Sequence, residues 1–376
     1  MGSVYVRNHT DDVIFLTCGI PGSTPLVVAR IRYHPDTSPM SPTRHLYASD
    51  PVDVRDAGRI IFNGGLVAFP TETVYGLGAD ATNPWAVSQI FRAKQRPSWD
   101  PLIVHLASLE QLSDVVNVPV ELAGRVVALA DAFWPGPLTL LLPRTLKISD
   151  VVTADRDLVG VRVPAHPVAQ ALLRAAGVPI AAPSANLFGH TSPTTAEHVL
   201  ADLDGRIDAV LDAGPTPIGV ESTVLDPTQT PMVLYRPGAI TAEQLSAITG
   251  VAVEVYVPTE HVQPASMPSP GVGIRHYAPR ARLTLVEGSA EALQASLAAE
   301  TASVGVLLPQ GWSVSGDVVI EIWGRWGDPP SLAAGLFGGL RALDDRGVSV
   351  ILCPLPEAGG LGDAIRDRLQ KAARPA

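Results

Sequence analysis

At 376 residues the chain exceeds one ordinary hydrophobic core, so two domains with connecting segments are expected. A formal charge of −10 argues against a broad electrostatic grip on nucleic acid, although a local cationic cleft is compatible with it. The two cysteines, Cys18 and Cys353, are too far apart in sequence for a metal-ligand spacing or a disulfide framework.

Near the N-terminus, Asp11 and Asp12 precede the short apolar run 13–16, the wrong flank for a secretory signal. No apolar stretch approaches the ~20 residues needed to span a bilayer, so a cytoplasmic setting without membrane contact is expected. Residues 1–42 read as an N-terminal extension of unknown role, in which 13–16 and 26–31 can pair as strands. A Pro/Ser/Thr-rich connector follows. From 43 to 254, strand-like and helix-like segments alternate, which predicts a layered α/β domain. Residues 65–69 read as a buried strand opening into a glycine-punctuated polar loop, and Asn83 with Pro84 starts a helix that Pro97 ends. Strands are predicted at 102–106, 159–163 and 178–182, a helix at 121–132, and capping boxes at Thr194 and Thr241. The proline-rich stretch 255–282 reads as a linker, and a loop of that length is more often functional than idle. Residues 283–376 repeat a small doubly wound βα pattern without a G-x-G-x-x-G turn.

The segment Gly64–Gly78 (GGLVAFPTETVYGLG), followed by KQRP at 94–97 and PLIVH at 101–105, is the most informative part of the chain. Helix 84–94 places Val87, Ile90, Phe91 and Lys94 on one stripe, so this lysine, one of only three, faces inward at the helix end with Arg96 just beyond. Two readings are open: cations complementing the helix dipole, or a pair gripping phosphate oxygens. Ser184 and Asn186 follow a strand and precede a helix, where anions are bound in α/β sheets, or else form an ordinary polar turn. Arg162 sits inside an apolar strand with no acid nearby in sequence, so a bound anion is a candidate partner. His105 is either a satisfied structural histidine or, beside Thr73 and Arg162, a cleft residue. Asp100 is a salt-bridge partner of Arg96 or a weak metal ligand, and no protein metal site is assigned.

Those segments, with FWPGPLT (133–139), VRVP (161–164), PSAN (183–186), STV (222–224), RPG (236–238) and SPGVGIRHYAP (269–279), resemble the threonylcarbamoyl-AMP synthases in order and spacing over some 200 residues. The similarity is to the long form, with a YrdC-like catalytic domain and a C-terminal domain. At Gly273 and Ile274 the linker departs from the family pattern, and residues 1–42 have no counterpart. The resemblance implies a YrdC-like twisted open sheet over 43–254 and a small Rossmann-like α/β domain over 283–376. It implies an enzyme that joins L-threonine, bicarbonate or CO2, and ATP with Mg2+ into threonylcarbamoyl-AMP and diphosphate, for tRNA modification completed by separate proteins. By motif position, Lys94, Arg96, Ser184 and Asn186 match the signature set around ATP. Asp100, Leu158, Ser192, Arg236, Arg275, His276 and Tyr277 match further nucleotide contacts, and Thr73, His105, Arg162, Ala182 and Ser222 match the threonine pocket. A carbamoyltransferase and an RNA-binding module are the rival readings. The first is disfavoured by size and cysteine count, the second by the acidic charge.

Overall fold

Alternating inward residues build the central sheet: Leu66 and Ala68 face one apolar layer while Val67 and Phe69 face another. The computed structural model describes residues 4–7, 13–18, 26–32, 42–257, 266–269, 271 and 276–374. Two units are distinguished, 1–41 and 42–376. In the first, strands Val4–Arg7, Val13–Cys18 and Leu26–Arg32 form an antiparallel sheet, the last two pairing as their sequence predicts.

The second unit holds an 11-stranded mixed sheet and a four-stranded parallel one. At the centre of the larger sheet, Leu138–Pro143, Leu158–Arg162, Ile103–His105, Ile180–Ala181, Tyr75–Asp80 and Val67–Pro70 lie side by side in that order. Helices Pro84–Lys94, Val120–Phe133 and Ala196–Leu203 cover one face, and Pro51–Phe62 and Pro167–Ala176 cover the other. Asn83 caps helix Pro84–Lys94 through its side-chain oxygen, with proline at the first turn, as its sequence predicts.

The glycine-rich segment after residue 70 is not the expected loop. It turns back at Thr71–Val74 and runs as the buried strand Tyr75–Asp80, antiparallel to Val67–Pro70. A Cβ on Gly78 would stand 2.8 Å from Ile180 and 2.9 Å from Phe69, so this glycine permits close strand packing rather than cradling a phosphate. Thr241 forms the predicted capping box with Gln244. At the other predicted box the cap is Thr195, whose hydroxyl accepts from the His198 N–H.

The smaller sheet runs Arg282–Val286, Val350–Pro354, Val304–Gln310, Val319–Arg325, all parallel. Helices Ala290–Ala299, Pro329–Asp345 and Leu361–Ala372 pack on it, and its apolar core takes in Val74, Val220 and Tyr277 from outside the sheet. Gly219 makes that junction possible: at φ +82° it approaches helix Pro329–Asp345 so closely that a Cβ would lie 2.3 Å from Ala333 O. Gly219→Ala is expected to destabilise the protein by about 2–4 kcal/mol, read as a lowered melting temperature. Among the described residues no helix is long and apolar enough to cross a membrane.

Candidate active site

Sheet register sets the first part of the site. His105 pairs directly with Arg162 across parallel strands, so both side chains leave the same face at the strand ends. Arg162 donates to Thr73 Oγ1 at 3.0 Å and to Gly136 O at 3.1 Å. Its acidic partner, absent from its sequence neighbourhood, is Glu72, 2.7 Å away in the turn before Tyr75. To the bound anion offered as a candidate partner the structure adds a carboxylate from the chain itself, delivered by the hairpin. Burial opposes ionisation of Glu72, but the Arg162 guanidinium and backbone hydrogen bonds together outweigh it and hold the carboxyl below its usual range.

Burial, and then the charge of Arg162, push His105 down to about 3, so its imidazole is neutral at physiological pH. Burial lowers His276 well below its usual value, helped by Arg96 and Lys94. A histidine that refuses a proton when folded and accepts one near 6.5 when unfolded costs stability as pH falls below 6.5. The folded protein is therefore expected to lose up to about 1.4 kcal/mol per pH unit per such group between pH 6.5 and pH 5. Denaturant unfolding across that range checks this, and His105→Gln should remove one proton's share of the slope.

The second part surrounds the end of helix Pro84–Lys94. Lys94, 1% exposed, donates to the backbone carbonyls of Ser184, at 2.7 Å, and Asn186. Its ammonium thus faces carbonyls, and among the described residues no carboxylate contacts it. Burial, then Arg96, push its pKa well below the usual range. Arg96 pairs with Asp100 at 2.9 Å and donates to the carbonyls of Asp100 and Pro101. Ser184 and Asn186 do not stand at a helix N-terminus as expected, because a loop separates them from the Thr195 cap. Ser184 bridges instead to Gly76.

Thr73, Arg96, His105, Arg162, Ala182, Ser184, Ser222, Arg236, His276 and Tyr277 line one cavity of about 50 Å³. Lys94, Asn186, Asp100, Ser192 and Leu158 do not line it. Lys94 bonds to Ser184 and Asp100 to Arg96 in the lining, Asn186 lies behind them on Lys94, and Ser192 reaches Glu221 in the wall at 2.5 Å. Leu158 begins its strand opposite Pro143. Arg275, with Gly273 and Ile274, lies outside the described residues. Such a volume holds a few waters and is far below the roughly 300 Å³ of a small-molecule site. In its lining, His276 stands edge-on to Phe188 at 5.3 Å and Tyr277 is held at φ +63°.

Two family models match the chain: one described as "Telomere recombination" over residues 59–238, the other as "Threonylcarbamoyl-AMP synthase, C-terminal domain" over 240–374. The threonylcarbamoyl-AMP synthase of Bacillus subtilis (strain 168) is 45% identical over 338 residues, covering 88% of this chain and 95% of the relative. That of Pyrococcus abyssi is 43% identical, covering 85% and 94%. The chain belongs to the threonylcarbamoyl-AMP synthase family. The crystal structure of P. abyssi Sua5 complexed with L-threonine superposes with a TM-score of 0.81 at 41% identity, over 88% of this chain and 97% of that one.

Several residues around this synthase-family cavity escaped the sequence reading. Thr139 shares a hydrogen bond with Ser222 at 2.8 Å; Arg236, which the motifs did name, donates to the Ser222 carbonyl and hydroxyl at 2.9 and 3.1 Å. Glu221 pairs with Arg368 at 2.7 Å, and Lys371 donates to Gly271 O at 2.8 Å. Arg368 and Lys371 sit in the last helix, where a basic residue gives no local sign that it reaches another part of the fold.

Proposed function

We propose that the chain is an L-threonylcarbamoyladenylate synthase, a nucleotidyltransferase that makes threonylcarbamoyl-AMP and diphosphate from L-threonine, bicarbonate or CO2, and ATP. One observation carries the reading. An arginine fit for a carboxylate (Arg162, with Thr73 and Ser222) and cations fit for phosphates (Arg96, Arg236, with Ser184) converge on a single buried cavity in a member of this family.

The chemistry suits such a lining. A carbamate oxygen of N-carboxythreonine attacks the α-phosphorus, a new P–O bond forms, and the bond to the β-phosphate bridging oxygen breaks to release diphosphate. No protein nucleophile is required; reactants held in line and fixed positive charge where the leaving group gains charge are sufficient. Arg162 keeps N–H groups for the amino acid's carboxylate while Glu72 and Thr73 fix its plane. Neutral His105 contributes a hydrogen-bonding group without adding positive charge. Lys94 holds the Ser184–Asn186 turn in place from behind the lining. Mg2+ would enter as the ATP complex, with phosphate oxygens among its ligands.

The segment carrying His276 and Tyr277, both in the cavity lining, would close over bound substrates as a lid. The product would pass to separate proteins that place the threonylcarbamoyl group on tRNA in the cytoplasm. Incubation with ATP, Mg2+, bicarbonate and each amino acid in turn, followed by mass spectrometry, tests the reading. Threonylcarbamoyl-AMP is expected with threonine. Absence of any carbamoyl-adenylate, or its formation from carbamoyl phosphate without an amino acid, would overturn it.

A further inference from the structure

The cavity proposed to receive a triphosphate has a carboxylate in its wall. Glu221 lines it between the Ser192 and Arg236 sides, and an uncompensated negative charge there would repel the phosphates. Its countercharge comes from the far end of the chain. Arg368, in helix Leu361–Ala372 and 0% exposed, donates Nε–H to Glu221 Oε2 at 2.7 Å. The other carboxylate oxygen accepts from Ser192 Oγ, so both oxygens are committed. The same guanidinium donates to Pro237 O at 3.1 Å, pairs with Asp367 at 2.6 Å, and lies 5.2 Å from the centre of the Tyr277 ring. A planar fork can meet four partners in four directions in this way, whereas an ammonium is a point charge.

We infer that Arg368 is a positioning residue: it neutralises Glu221 in the cavity wall and holds that carboxylate on Ser192, so the triphosphate side of the site is complete only with the last helix in place. The inference rests on the threonylcarbamoyl-AMP synthase reading and assigns the C-terminal domain a part in it. A merely structural brace would cost stability when removed and leave substrate affinities alone. A charge-compensating role singles out ATP, because the charged contact proposed for threonine is Arg162, and only the uncharged Ser222 adjoins Glu221.

The test uses the full chain with Arg368→Gln, Glu221→Gln and the double variant, measuring KM for ATP, KM for threonine and kcat of diphosphate release. Arg368→Gln should raise KM for ATP at least about tenfold and leave KM for threonine within about twofold. The double variant should return KM for ATP to within about threefold of the parent, because Glu221 and its partner lose their charges together, Asp367 keeps Lys371 at 2.9 Å, and an amide oxygen still accepts from Ser192. An unchanged KM for ATP in Arg368→Gln, or no recovery in the double variant, overturns the inference. Should Arg368→Gln fail to fold, the double variant decides against the parent: a KM for ATP within about threefold of the parent supports the role, and a larger rise overturns it. A parent protein that makes no threonylcarbamoyl-AMP would instead defeat the underlying reading.

Discussion

Threonine-dependent diphosphate release is expected to fall by at least about 10²–10³-fold in Arg96→Ala and in Lys94→Met, with the fold retained. Arg96 lines the cavity and presents a guanidinium whose orientation is fixed by Asp100 and two carbonyls, so it is preorganised rather than recruited. Lys94 is the sharper case. Its charge is buried against carbonyls, a costly arrangement that stability alone does not explain. Replacement by methionine preserves volume and removes that burden, at the cost of about 1–3 kcal/mol for each carbonyl left without a donor. The melting temperature is therefore expected to move by only a few degrees while turnover collapses. Normal turnover in both variants, measured on material shown to be folded by circular dichroism, would refute the phosphate-side assignment.

Arg162 is expected to give the largest combined effect. Arg162→Gln leaves the Glu72 carboxylate buried without its partner, a loss of about 3–5 kcal/mol, and removes the group proposed for threonine's carboxylate. The two consequences separate in the double variant Arg162→Gln/Glu72→Gln. Neutralising Glu72 should recover most of the stability, since no buried charge is then uncompensated, but none of the threonine dependence. Denaturant unfolding and threonine titrations of both variants provide the check. Recovery of threonine use along with stability would reduce Arg162 to a structural ion pair.

Much of this was legible from the chain alone because it is written in local terms. The stripe Val87, Ile90, Phe91 and Lys94 has helical period, and the Asn83–Pro84 start is a capping signal carried by adjacent residues. The alternation of strands and helices, and the order of the motifs around Lys94, Arg96, Ser184 and Asn186, were equally visible, and with them the family. The tertiary structure decided what depends on partners distant in sequence. It turned the glycines of Tyr75–Asp80 from a presumed loop into a buried strand, because strand pairing against Val67–Pro70 satisfies backbone groups that a loop would leave to water. It gave Arg162 the carboxylate of Glu72 and set His105 beside it through strand register. It also brought Arg368 and Lys371 from the last helix to Glu221 and Gly271. Electrostatic and packing partners are chosen by proximity in space, and a sequence records proximity only along the chain.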